Sequence, residues 1–264
     1  MVTNDIFVSF WHCDRKAFLL AWGTPGHPAE IETVQLELER VYLRQALETF
    51  LAADGEQDVV KNPPSLEASI KSSPRAIIDV IASGNGMSSQ IQALERMKKA
   101  VDDDDAVYSP VLFTLNEKVS RANKLLLAFN AIALSSVQGT LPSIGKIVHG
   151  SSYKVLKCKI KPLVGEVRKL VAQIQAAHVD GVAAPPVRLN RHCNVCQFQA
   201  DCQRLADADI HAPAHEDGCL GGAVQRGRRG QGRERVAVSG QGAVVRGTSL
   251  KCWVPKCRVL RYVC

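Results

Sequence analysis

The run Cys193-x2-Cys196-x5-Cys202 constrains this chain more than any other feature. Two thiolates so closely spaced grip one metal centre from a single turn, and a third just beyond closes around it. Three sulfurs leave one position open, so a fourth ligand has to come from elsewhere in the chain. Cys13 is the first candidate, because an N-terminal segment can pack against the C-terminal end; His12 and His192 are held in reserve. The plain alternative is a set of ordinary thiols with accidental spacing. Four cysteine thiolates serve zinc and iron–sulfur alike. Zinc sites more often use two C-x2-C pairs, and no second pair lies nearby. A remote cysteine with a compact triplet therefore favours a [4Fe-4S] cluster, with zinc as the alternative.

The chain has 264 residues, 46% of them hydrophobic, which suffices for one or two domains with a real core. No apolar run approaches the roughly 20 residues of a membrane span. The N-terminus has no basic stretch before its apolar residues and no small-residue cleavage site, so it does not read as a secretion signal. A cytoplasmic location is the expectation, and there nine cysteines are more often free thiols or metal ligands than disulfides. The net charge of +7 is a property of the tail. Gly218 to Cys264 holds ten Lys or Arg against the single acid Glu234, whereas residues 1–217 carry 23 basic and 25 acidic side chains. The basic balance is thus no evidence that the folded body attracts phosphate.

Along the chain, Thr3 to Trp22 predicts a capped helix and Glu30 to Ala53 a second one with a long apolar stripe. Ala76 to Ile81 predicts a strand, Gly84-Asn85-Gly86 a turn, and Ser88 to Leu94 a returning strand. Asp102 to Asp105 predicts a solvated loop, with cation binding as the lesser reading. Val107 to Thr114 is a third strand candidate whose interior is questioned by Pro110. Ser120 to Leu134 is apolar on most faces and predicts a buried helix packed on a sheet. Gly145 to Ile160 predicts a hairpin with Leu156, Cys158 and Ile160 on one face and Lys157 and Lys159 on the other. Leu163 to Ala177 predicts an amphipathic helix. Residues 206–264 are rich in glycine and arginine without sustained periodicity, so disorder is expected there. That texture also fits an out-of-frame or truncated product.

FWHCDRKAFL near the start, together with RHCNVCQFQADC near the end, resembles the cysteine framework of RecB-type exonucleases. That group includes the CRISPR-associated exonucleases and the AddB-type helicase–nuclease subunits. Residues 3–205 resemble the N-terminal region of longer bacterial RecB-like nucleases, and PVLFTLNEKVSRANKLLLAFNAIAL and the following GKIVHG are similar to that family. The resemblance implies an α/β, restriction-endonuclease-like (PD-(D/E)xK) core over residues 1–205, with N-terminal helices and a C-terminal iron–sulfur closure. It assigns the [4Fe-4S] cluster to Cys13, Cys193, Cys196 and Cys202.

The hydrolytic chemistry transfers less well. A PD-(D/E)xK site needs an acid on one strand and E-x-K on the next, the acids holding Mg or Mn. The glutamate position falls on Leu112, the lysine on Thr114 and the preceding acid near Gln92. The histidine of the second helix has no counterpart among Arg40 to Gln45, and the later glutamine falls near Leu125 or Leu126. Asp79, Glu117 and Lys118 are the weak substitutes, with a solvated or salt-bridged pair as the plainer reading. Lys154, Lys157 and Lys159 are candidates for a phosphate backbone, against an ordinary exposed hairpin face.

The preferred expectation is a nucleic-acid-binding module in DNA processing or repair, with a structural cluster and a degenerate active site. Its partners would be single-stranded DNA or DNA ends, and a helicase or nuclease domain absent from this chain, with no membrane. The alternatives are a metal-dependent exonuclease using non-standard acids, and a truncated piece of a larger nuclease without activity of its own.

Overall fold

In the computed structural model, which describes residues 1–28, 30–52, 58–97, 107–177 and 183–211, the chain pairs before it coils. β1 (Val2–Thr3) is followed at once by α1 (Asn4–His12), whose first turn is capped by the Thr3 hydroxyl accepting from the Ile6 amide at 3.4 Å. The single helix expected to reach Trp22 is in fact two. Cys13 adopts extended backbone (φ −162°, ψ 112°), ends α1 and opens α2 (Asp14–Ala21). Its own amide closes α1 on the Ser9 carbonyl at 2.7 Å, and its sulfur accepts from the Lys16 amide at 3.4 Å to cap α2. The apolar periodicity runs through this break unaltered, which is why the pattern concealed it.

α3 (Glu30–Ala52) matches the second predicted helix, but only its C-terminal half is buried, through Tyr42, Ala46 and Leu51. β2 (Val59–Lys61) and α4 (Leu66–Lys71), too short to leave a periodic signature, were not foreseen. β3 (Ala76–Gly84) and β4 (Met87–Arg96) form the expected hairpin. Its loop residues Asn85 and Gly86 both have positive φ, 54° and 74°, the twist-matching conformation that Asn-Gly favours. β5 (Tyr108–Thr114) keeps Pro110 inside an interior strand, opposite Leu94. α5 (Arg121–Gln138) has a full capping box at Ser120 and Asn123 and ends on left-handed Gly139, φ 76°. β6 (Ile144–His149), β7 (Lys154–Lys159) and α6 (Lys161–Ala177) complete the predicted hairpin and helix. A short turn at Cys193–Val195 leads to α7 (Gln199–His211), which continues past the domain boundary expected at residue 205.

The protein is mixed α/β. Its sheet has seven strands, in the order β2-β3-β4-β5-β6-β7 with β1 added parallel to β4. Along that order β2–β3 and β5–β6 are parallel, and β3–β4, β4–β5 and β6–β7 are antiparallel. α5 crosses one face with Leu125 and every residue from Leu127 to Leu134 buried, and α1, α4 and α6 flank it. The second half of α3 covers the other face over Ile78, Ala93, Val111 and Phe113. These residues belong to one unit, Met1–Ala214; a second, His215–Cys264, lies outside the described residues, as do nearly all of the glycine-rich tail and Asp102 to Asp105. No helix among the described residues is long and apolar enough to cross a membrane.

β4 holds the feature that shapes the site. One edge pairs with β1 only at Met87 and Ser88, and with β5 only from Ala93 to Arg96. Between them, side chains stand in for the missing ladder. Asn4 accepts from the Gln90 amide at 2.9 Å and donates to the Gln90 carbonyl at 3.2 Å, as a neighbouring strand would. The Gln92 side chain accepts from the Phe113 amide at 2.9 Å. At the same level Asp79 takes φ 52°, and the β3–β4 pairing passes from Ile78–Ala93 to Val80–Ile91. Ile77 and Val80, and likewise Ile91 and Leu94, therefore face the same core, and the alternation resets in both strands as at a bulge.

The network behind this gap is buried. Asn130 is 2% exposed, and its carbonyl oxygen accepts from Ser89 Oγ at 2.9 Å and Asn4 Nδ2 at 3.1 Å. Asn130→Ala leaves both donors without that acceptor, so a loss of about 2 kcal/mol is expected. Urea unfolding measures it, and a change below about 0.5 kcal/mol would show that the network does not anchor α1 to the sheet.

Candidate metal centre and cleft

The break between α1 and α2 puts Cys13 at a corner instead of burying it on a helix face, so that its thiol looks out beside the C-terminal segment. That segment is organised by Asn190. Its amide donates to the Cys193 sulfur at 3.2 Å, its side-chain oxygen accepts from the His192 amide at 2.8 Å, and its Nδ2 donates to the His12 carbonyl at 3.3 Å. Three further contacts tie the two ends together. Arg15 Nη1 donates to the Pro185 carbonyl at 2.5 Å, the His27 amide to the Gln197 carbonyl at 2.8 Å, and the His12 and His192 rings lie 4.3 Å apart. Gly26 lets the chains approach closely, since a Cβ there would stand 2.5 Å from Gln197 Cγ. Phe198, 1% exposed, anchors the turn, and the Cys202 amide closes the first turn of α7 on its carbonyl at 3.0 Å.

Cys13, Cys193, Cys196 and Cys202 line one cleft of about 1030 Å³, together with His12 and His192. Burial pushes the Cys196 thiol up from its ordinary pKa, and the neighbouring Cys13 and Cys193 add to the rise. Cys202 is raised first by burial and next held back by Arg15, with Cys196 and Cys13 opposing. Among the described residues, however, no three His, Cys, Asp or Glu side chains are gathered tightly enough to hold a metal ion. The thiols share a cleft wall and not a coordination shell. His12 is lowered from its ordinary value, mainly by burial and then by His192, Lys16 and Arg191.

The cleft runs on to the gap beside β4, where Asp79, Gln90, Gln92, Leu112 and Thr114 line it. The positions expected for the acid, the glutamate and the lysine therefore open on one space, as do Arg40, Tyr42 and Leu43 of the second helix and Leu126 of α5. Three of them carry neither a carboxylate nor an ammonium group: they present the Gln92 amide, the Leu112 isobutyl group and the Thr114 hydroxyl, which accepts from Asn116 Nδ2 at 3.2 Å. Asp79 is the one weak substitute that reaches the cleft. Glu117 and Lys118 do not line it. The Glu117 carboxylate instead accepts from the Ser151 amide at 2.9 Å and its hydroxyl at 2.8 Å, while His149 Nδ1 lies 3.1 Å from the Glu117 carbonyl. Asn4, Arg15 and Asn190 were not singled out from sequence. Asn4 falls at the start of the first predicted helix, where its residue type suits a cap, and nothing local marks the other two.

Lys154, Lys157 and Lys159 are exposed on β7, the last strand of the sheet, and none lines the cleft. Lysines along an edge also discourage pairing with another chain. Cys158 is buried, as read from the strand alternation. Comparison with protein-family models found no match, and comparison with curated proteins found none either.

The Ser151 amide and hydroxyl hold the Glu117 carboxyl below the usual glutamate range. A depressed folded pKa means that its contribution is fully present above the ordinary glutamate pKa and lost as pH falls through the lowered value. Nuclear magnetic resonance titration should therefore find Glu117 below the ordinary range, and Ser151→Ala should raise it by removing one of the two donors. An identical midpoint in both proteins would show that the hydroxyl does not hold the carboxylate.

Proposed function

We propose that this chain is a nucleic-acid-binding module of the RecB-like nuclease kind, with a restriction-endonuclease-like core, a [4Fe-4S] cluster on Cys13, Cys193, Cys196 and Cys202, and a hydrolytic site that has lost its metal-holding groups. The observation that carries this reading is the cleft wall shared by Cys13 and the C-terminal triplet, residues far apart in sequence. The donor set fits, since four thiols suit a cluster of this kind and all four reach one space. Loading would draw their sulfurs inward and displace their protons. When bound, the cluster supplies a covalent tie between the two ends of the domain. The protein's own residues do the rest: Asn190 and Arg15 hold the C-terminal segment against α1 and α2, and Phe198 fixes the triplet's turn.

The degenerate site is supported by Gln92, Leu112 and Thr114 in the cleft positions where acids and a lysine would be needed. Glu117, outside that cleft and bonded to Ser151, is poorly placed to share a cation with Asp79. The cleft is the expected path for single-stranded DNA.

Anaerobically purified protein should be brown with broad visible absorption, and Cys13→Ser and Cys196→Ser should each lose it. Stoichiometric zinc without iron would replace the cluster assignment. With manganese and single-stranded DNA, binding that weakens steeply with salt is expected, without cleavage. Cleavage that disappears in Asp79→Asn would establish instead a working nuclease.

A further inference from the structure

Three of the four cleft sulfurs are met by main-chain donors. The Lys16 amide donates to Cys13 Sγ at 3.4 Å, the Asn190 amide to Cys193 Sγ at 3.2 Å, and the Phe198 main chain bonds the Cys196 sulfur. Cys202 is placed differently. It sits within α7, where its own amide is committed to the Phe198 carbonyl at 3.0 Å. The group beside it is a side chain, the Arg15 guanidinium, which lines the same cleft. Burial raises the Cys202 thiol, and Arg15 holds it back.

Arg15 is fixed at one corner of its fork, where Nη1 donates to the Pro185 carbonyl at 2.5 Å. Its Nε is buried and has no acceptor among the described residues. Folded proteins bear such an unpaired donor mainly where an ion, a water or a redox group supplies the acceptor. The ligand nearest in chemistry on this wall is sulfur. We propose that Arg15 is the donor to the Cys202 sulfur of the loaded site, and so a positioning residue that sets the cluster's stability and reduction potential. The inference rests on the cluster reading above. N–H donors and positive charge beside the sulfurs favour the more negative, reduced form, so Arg15 raises the potential.

The test uses the full chain purified anaerobically. Iron release to a chelator is followed by absorbance, and the potential is read by film voltammetry. Arg15→Met should release iron about tenfold faster. It should also lower the potential by about 59 mV, a tenfold change in a one-electron equilibrium. Arg15→Lys, which keeps the charge, should recover most of both. Arg15→Gln keeps an N–H for Pro185 but not the charge, and should lower the potential as Arg15→Met does. It also carries the test if Arg15→Met is too unstable to purify. Arg15→Gln matching the wild type would show that Arg15 only ties down the segment at Pro185, and would overturn the proposal. A brown wild type whose release and potential are indifferent to Arg15 would overturn this inference alone. A wild type without iron would overturn the cluster reading and this inference with it.

Discussion

β4 is longer than either neighbour on its outer edge can cover, and the uncovered stretch around Gln90 and Gln92 sets the geometry of the molecule. Backbone polar groups left there without partners would cost free energy comparable to lost hydrogen bonds. The protein supplies side-chain amides instead. Asn4 imitates a strand against Gln90, and Gln92 reaches across to the Phe113 amide. Satisfying the backbone in this way keeps β1 and β5 apart, and the cleft occupies the space between them. Asp79 meets that space with a left-handed backbone, an arrangement tolerated only where surrounding structure holds it.

The two ends of the domain meet at the other end of the same cleft. Neither end is held there by a large apolar surface. α1 contributes Ile6 and Phe7 to the main core, but the residues from Pro185 to Gln197 attach through hydrogen bonds to main-chain carbonyls and the His12–His192 contact. Such an attachment is specific in geometry and modest in strength, each bond contributing roughly 1 kcal/mol net. A covalent tie through sulfur at this place would add most where the polypeptide's own packing is thinnest.

Periodicity made the long elements legible. The Asn85-Gly86 turn, the apolar density of α5 and the alternation in β7 each carried enough local information to place them. The break at Cys13 was hidden because apolar residues on both sides keep helical spacing, and the cap is made by a sulfur, which no ordinary capping rule flags. The apolar stripe of α3 was legible as a stripe, but not the exposure of Ile31, Val34, Leu38 and Val41, since sequence records hydrophobicity and not which side meets the body. At the cleft, reading by position brought Gln92, Leu112, Thr114 and Leu126 into consideration, and all four line the same cleft. Glu117 misled because it follows a strand closely, yet its carboxylate turns toward Ser151. Asn190 and Arg15 act across about 170 to 180 positions, a separation at which one sequence gives no signal.

That separation also imposes a timetable. Asn190 cannot meet His12 until nearly the whole domain has left the ribosome, and at about 5–20 residues per second the wait runs to tens of seconds. Throughout translation the corner at Cys13 is made without the segment that later shields it. A nascent thiol is open to oxidation during that interval, the more so the less reducing its surroundings.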